Sequence, residues 1–120
     1  MSDDYSTDRW ILELVGDAYD PCPLYGKTTY PVGLVAKWPV GKVFINPPYS
    51  NPKQWVVRGI SHQKAGGSTV IFLLKHDSST EAYRLLHEAG AHFLLVNKRL
   101  KHQTGKSAAF PSVLAILEAI

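Results

Sequence analysis

Apolar residues along this chain fall into short continuous runs and helix-spaced sets, separated by glycine and proline. After the polar residues 1–6, Trp10, Ile11, Leu14 and Val15 recur at helical spacing; Thr7 or Ser6 caps the segment, Asp8 sits in its first turn and Gly16 ends it. A short strand is predicted around Asp17 to Asp20, stopped by Pro21 and Pro23. Residues 21–41 carry enough breakers to read as loop, with Leu34-Val35-Ala36 available for brief pairing. Val43-Phe44-Ile45 is a β-rich run cut off by Pro47 and Pro48, which predicts a buried strand ending in the Asn46-Pro47-Pro48-Tyr49 loop.

Asn51 as a capping side chain, with Pro52 in the first turn, predicts a helix with Trp55, Val56, Val57 and Ile60 on its apolar side and Gly66-Gly67 at its end. Thr69 to Leu74 is the clearest strand. Ser78 or Ser79 then caps a helix with Ala82, Leu85, Leu86 and Ala89 on one face and Gly90 behind it. His92 to Val96 and Ser112 to Leu117 read as strands on either side of a polar, basic loop at 97–110.

This alternation predicts an α/β domain spanning residues 1–120, with a mostly parallel sheet of about five strands and helices on its faces. No repeat, linker or separate recognition domain stands out. Ligands of such sheets lie at the carboxyl ends of the strands. Asp20-Pro21-Cys22 and Asn46-Pro47-Pro48-Tyr49 both fall there.

Composition narrows the class. A hydrophobic fraction of 45% with 19% charged residues describes an ordinary globular chain. The net charge of +3 permits a polyanionic partner without requiring one. The single cysteine, Cys22, allows no internal disulfide and fits a reducing compartment. The N-terminus lacks signal-peptide layout, and no apolar run approaches the ~20 residues of a membrane span. The expectation is an intracellular, cytoplasmic protein with no membrane association.

The Asn46-Pro47-Pro48-Tyr49 loop carries the chemistry. Prolines fix φ and donate nothing, so their carbonyls can point outward. The Asn46 side-chain oxygen and the Pro47 carbonyl can together accept two hydrogen bonds from an –NH2 group, while the Tyr49 ring stacks on a flat base. That arrangement aims an amine nitrogen at a methyl sulfonium by positioning and electrostatics alone.

The loop resembles the catalytic signature of amino-directed methyltransferases. The wider chain resembles the phage-type Dam-like DNA N6-adenine methyltransferases. The likeness rests on Asp20-Pro21-Cys22, Gly33-Leu34, Trp38, residues 43–50, Trp55-Val56, Asp77 and Thr80, Lys98-Arg99-Leu100-Lys101 and Phe110-Pro111-Ser112, in the family's order over roughly residues 7–117. It implies a compact Rossmann-like class I methyltransferase fold and S-adenosylmethionine as cofactor. Asn46, Pro47, Pro48 and Tyr49 would form the catalytic loop, and Thr7, Asp20, Pro21, Cys22 and Asn46 would line the cofactor pocket. DNA would meet Tyr49, Ser50, Lys75, Asp77, Lys98, Arg99, Lys101 and Lys106. A target adenine in duplex DNA would have to be flipped out of the stack. Recognition would be low or short, or supplied by a second subunit, with a homodimer as one form.

The chain departs from the family pattern in places. Asp20-Pro21-Cys22-Pro23 stands where methyltransferases often carry a glycine-rich loop, Val32 where the branch often has an acid, and His102 where it usually has phenylalanine.

Blander readings stand beside these. Asp20 can bind neighbouring backbone amides as an ordinary strand-end residue, and Asp17 replaces it if the register shifts by three. Trp10 and Trp55 read as core, whereas Trp38 on a loop is a candidate cofactor cover. Cys22 reads as a small buried residue. His62, His76, His87, His92 and His102 show no zinc-site spacing and read as surface or loop residues, with His76 a candidate for the site's rim. The 98–106 cluster reads as a solvated loop or as a phosphate-contacting one. Three activities compete: methylation of DNA adenine; the same chemistry on RNA adenine or a glutamine amide; and a relic that binds S-adenosylmethionine or nucleic acid without turnover.

Overall fold

The computed structural model describes residues 11, 13, 15–22, 32–48, 51–96 and 111–120. Ile11, Glu13 and Val15 are helical, and Gly16 follows with φ +69°, a backbone that glycine alone adopts without strain. The elements after it are α1 (Val32–Val35), β1 (Lys42–Ile45), α2 (Pro52–Lys64), β2 (Thr69–Lys75), α3 (Glu81–Glu88), β3 (His92–Leu95) and β4 (Ser112–Leu117).

The strands form a four-stranded sheet in the order β1-β2-β4-β3. Among the described strands β1 and β2 pair in parallel, while β4 pairs antiparallel with both β2 and β3. The mostly parallel sheet of about five strands is therefore corrected to a mixed sheet. The physical reason is that β3 and β4 are neighbours and need no crossover helix, so the chain reverses between them. The strand expected at 17–20 contributes one parallel bridge, Tyr19 to Val43, closed by the Tyr19 N–H to the Lys42 carbonyl and the Phe44 N–H to the Tyr19 carbonyl, each 2.9 Å.

The strands' alternation sorts the core into two layers. Val43, Ile45, Val70, Phe72, Leu74, Val113, Ala115 and Leu117 face α2 and α3, meeting Trp55, Val56, Ala82, Tyr83 and Leu86. Phe44, Leu73 and Leu114 face the other way, against Ile11 and Val15. Covered on both faces, β2 reads as an unbroken apolar run. Each such side chain stabilises by roughly 1.5–3 kcal/mol. Gly59 lets α2 lie directly on β2, because a Cβ there would overlap the Phe72 ring.

Several local expectations change. Leu34-Val35 is helical in α1 and does not pair as a strand. Asn51 precedes α2 without a side-chain cap; its amide Nδ2 donates to Gln54 Oε1 at 3.1 Å. Thr80 is the residue before α3, while Ser79 turns to Asp77. On α2, Val57 is half exposed and the inward face is completed by Gly59, His62 and Gln63.

Trp38 is buried, donates through Nε1 to the Gly33 carbonyl at 2.8 Å and lies under the Arg58 guanidinium, 4.1 Å from its ring centroid. It thus packs inside the fold, with Arg58 over its indole ring. His62 is also buried, against the surface placement expected of it. Its Nε2 sits 2.9 Å from the Pro39 carbonyl and 3.0 Å from Ser68 Oγ. A carbonyl only accepts, so Nε2 carries the proton.

Candidate active site

The parallel pairing decides what meets at the carboxyl edge. Because Tyr19 is in register with Val43, Asp20 and Asn46 leave the same edge of the sheet. Lys75 ends β2 at that edge opposite Ser112, the first residue of the antiparallel β4. Leu95 ends β3 there as well, opposite Val113.

Asn46 is 5% exposed and Pro47 is fully buried, so the loop leaves β1 already packed. The Asn51 N–H donates to the Pro48 carbonyl at 3.1 Å, and α2 begins one residue later. Pro47 and Pro48 thus follow the buried strand directly, and the helix starts at Pro52.

Asp20 is exposed, and its Oδ1 accepts the Cys22 N–H at 2.9 Å. The strand-end role weighed for it is thus present. Pro21 and Cys22 behind it are buried. Gly33 packs against this turn so closely that a Cβ would overlap the Pro21 carbonyl. Any side chain at 33 would push α1 off the Asp20-Pro21-Cys22 turn.

At the end of β2, the Asp77 carboxylate accepts Ser79 Oγ at 2.6 Å and the Ser79 N–H at 3.3 Å. These bonds, the side-chain one foremost, hold Asp77 below the usual carboxylate range. Thr80 Oγ1 donates to the Asp77 carbonyl at 3.0 Å. Tyr83 Oη donates to the Lys75 carbonyl at 2.7 Å, and burial raises its phenol to about 12, so it stays a neutral donor. A cavity of about 200 Å³ opens here between Pro52, Leu74, Lys75, Asp77, Thr80, Ala82 and Tyr83.

The structure thus brings Asp20, Pro21, Cys22, Asn46, Pro47, Pro48, Lys75 and Asp77 to one edge. Thr7, Tyr49, Ser50, Lys98, Arg99, Lys101 and Lys106 lie outside the described residues. The described flanks of the basic stretch do reach the site: Val96 donates to the Ser112 carbonyl at 3.1 Å, and Pro111 accepts the His76 N–H at 2.9 Å. Tyr83 escapes sequence reasoning as a site residue. Its only signal is helical spacing, three residues before the buried Leu86 and beside Ala82. Among the described residues, no group of histidines, cysteines and acids could hold a metal ion.

A family model described as "DNA N-6-adenine-methyltransferase (Dam)" matches residues 8–111. The chain belongs to that family. A "DNA N-6-adenine-methyltransferase" of Haemophilus phage HP1 (strain HP1c1) is 44% identical to this Dam-family chain over 48 residues. That match spans 40% of this chain and 28% of the phage protein. No solved structure matches. Membership implies a methyl donor. No helix among the described residues is long and apolar enough to cross a membrane.

Proposed function

We propose that this Dam-family chain methylates the N6 amino group of adenine in DNA, with S-adenosylmethionine as donor. The observation that supports this most is the buried Asn46-Pro47 exit from β1, at the same sheet edge as Asp20. Membership in the family, with DNA adenine methylation in its description, supports the substrate class.

The donor is a cation at its sulfur and its amine, and the exposed Asp20 carboxylate at this edge suits it. Thr7, Asp20, Pro21, Cys22 and Asn46 would hold it. When bound, S-adenosylmethionine supplies an electrophilic methyl whose carbon–sulfur bond breaks as the nitrogen–carbon bond forms. The chain's own residues bind and orient. Asn46 Oδ1 and the Pro47 carbonyl accept the two amino hydrogens of adenine, which raises electron density on nitrogen and fixes its direction of approach. Tyr49 stacks on the flipped base. Lys98, Arg99, Lys101 and Lys106 meet phosphates, and Lys75 and Asp77 border the base. The proton displaced from the amino group passes to solvent.

The test is incubation with methyl-labelled donor and unmethylated duplex DNA, then digestion and separation of nucleosides, with Asn46→Ala beside it. Label in N6-methyldeoxyadenosine that vanishes in the variant is expected. Label in RNA and not in DNA would move the substrate to RNA. Saturable donor binding without transfer to either polymer would make the chain a cofactor-binding relic.

A further inference from the structure

A second cavity of about 390 Å³ lies at the same sheet edge, one strand further along. Tyr83 lines both cavities and so forms the wall between them. On the far side of that wall its ring is stacked on Phe93, with centroids 5.6 Å apart and planes 8° from parallel. Leu95 and Val113 complete an apolar lining.

Among the described residues, the rim of this cavity is polar but electrically balanced. Ser78, His76 and His87 offer hydrogen-bonding groups. Arg84 also reaches it, yet Glu88 and Glu81 hold that guanidinium at 2.8 and 3.0 Å. A phosphate would meet two carboxylates around the one arginine. A flat, neutral heteroaromatic ring fits better: it extends the Tyr83–Phe93 stack and offers polar edges to the rim.

We propose that this second cavity takes a nucleobase of the DNA strand next to the target adenine, with Tyr83 dividing the two bases and Phe93, Leu95 and His87 reading the neighbour. The inference rests on the adenine-methylating reading, in which Lys75 and Asp77, lining the smaller cavity on the other side of Tyr83, border the target base. It deepens that reading by giving the chain a place to sense sequence beside the target.

The test is photocrosslinking with DNA that carries 5-iodouracil beside the target adenine, followed by peptide mapping. The expected result is a crosslink in the peptides bearing Tyr83 or Phe93. Leu95→Trp, which fills the cavity from an exposed position, should cut it about tenfold, in keeping with the loss of one stacked base. Val35→Trp, on exposed α1, is the bulk-matched control and should leave it unchanged. A crosslink that maps elsewhere, is absent, or survives Leu95→Trp at the wild-type level would overturn the proposal. Crosslinking at Tyr83 or Phe93 in a protein that forms no N6-methyldeoxyadenosine would keep this base site and sink the methylation reading instead.

Discussion

The two ends of the same strands are built on opposite plans. At the amino end of β2, polar groups are closed in on one another. His62 meets Pro39 and Ser68, Ser68 Oγ accepts the Gly41 N–H at 3.1 Å, and Gln63 donates to the Glu118 carbonyl at 2.9 Å. At the carboxyl end, Asp20 and Lys75 are exposed, and two cavities open between α3 and the sheet. A buried polar group at the first end is used up by the fold. At the second end Asp20 and Lys75 are held in place by the fold and presented outward, and Asn46 is packed into the edge. Histidine, serine and a backbone carbonyl within reach would suggest chemistry anywhere else. Here their position at the closed end assigns them to structure.

That contrast can be broken from either side. The largest effect is expected for Asn46→Ala at the open end: a loss of roughly 10²–10³ in methyl transfer, as for removal of one preorganised polar group, with the thermal midpoint little changed. Next comes His62→Ala at the closed end, which strips the Pro39 carbonyl and Ser68 of their partner and costs about 1–3 kcal/mol in denaturant unfolding. Activity per folded molecule should hold; a matching loss of turnover would erase the distinction between the two ends.

Tyr83→Phe, at the open end, comes third. Losing its bond to Lys75 should cost about 0.5–1.5 kcal/mol. It also carries a pH signature. The folded phenol is raised to about 12 from an ordinary 10.0, so its contribution is whole below pH 10 and is lost as pH rises toward 12. Unfolding midpoints measured on either side of pH 10 should fall in the wild type and fall less in the variant. The smallest effect belongs to Glu81→Gln. It breaks the exposed pairs to Lys53 at 2.9 Å and to Arg84, and the midpoint should barely move. Hydrogen bonds to Lys53 and Arg84 lower the Glu81 carboxyl, so any contribution is present above pH 4.5 and fades as pH falls.

Much of this was legible in the chain because one residue type decided it locally. The apolar runs of β2 and β4, the turn glycines after α2 and α3, and the proline stop after β1 all fall where the sequence puts them. Strand direction was not legible: the side-chain period of β4 is the same whether it runs parallel or antiparallel. Nor was the burial of His62, whose partners lie 6 and 23 residues away and include a backbone carbonyl that no pattern marks. Trp38 looked available on its loop because its cover, Arg58, comes from a different element. At the site, Asn46 and Asp20 were visible as residues, but their shared edge follows from the single Tyr19–Val43 bridge.

The order β1-β2-β4-β3 has a consequence for synthesis. The strand made last of the four is the one that joins the others: β3 pairs only with β4, and β2 has β4 on one side. On the ribosome, the first three strands can offer only the β1–β2 pair until Ser112–Leu117 emerges. During that interval β3 has neither edge paired, and His92–Leu95 can meet whatever else is nearby. A chain that stalls before Ser112 is therefore left with β3 unpaired, and one that passes Leu117 carries the strand that joins β2 to β3.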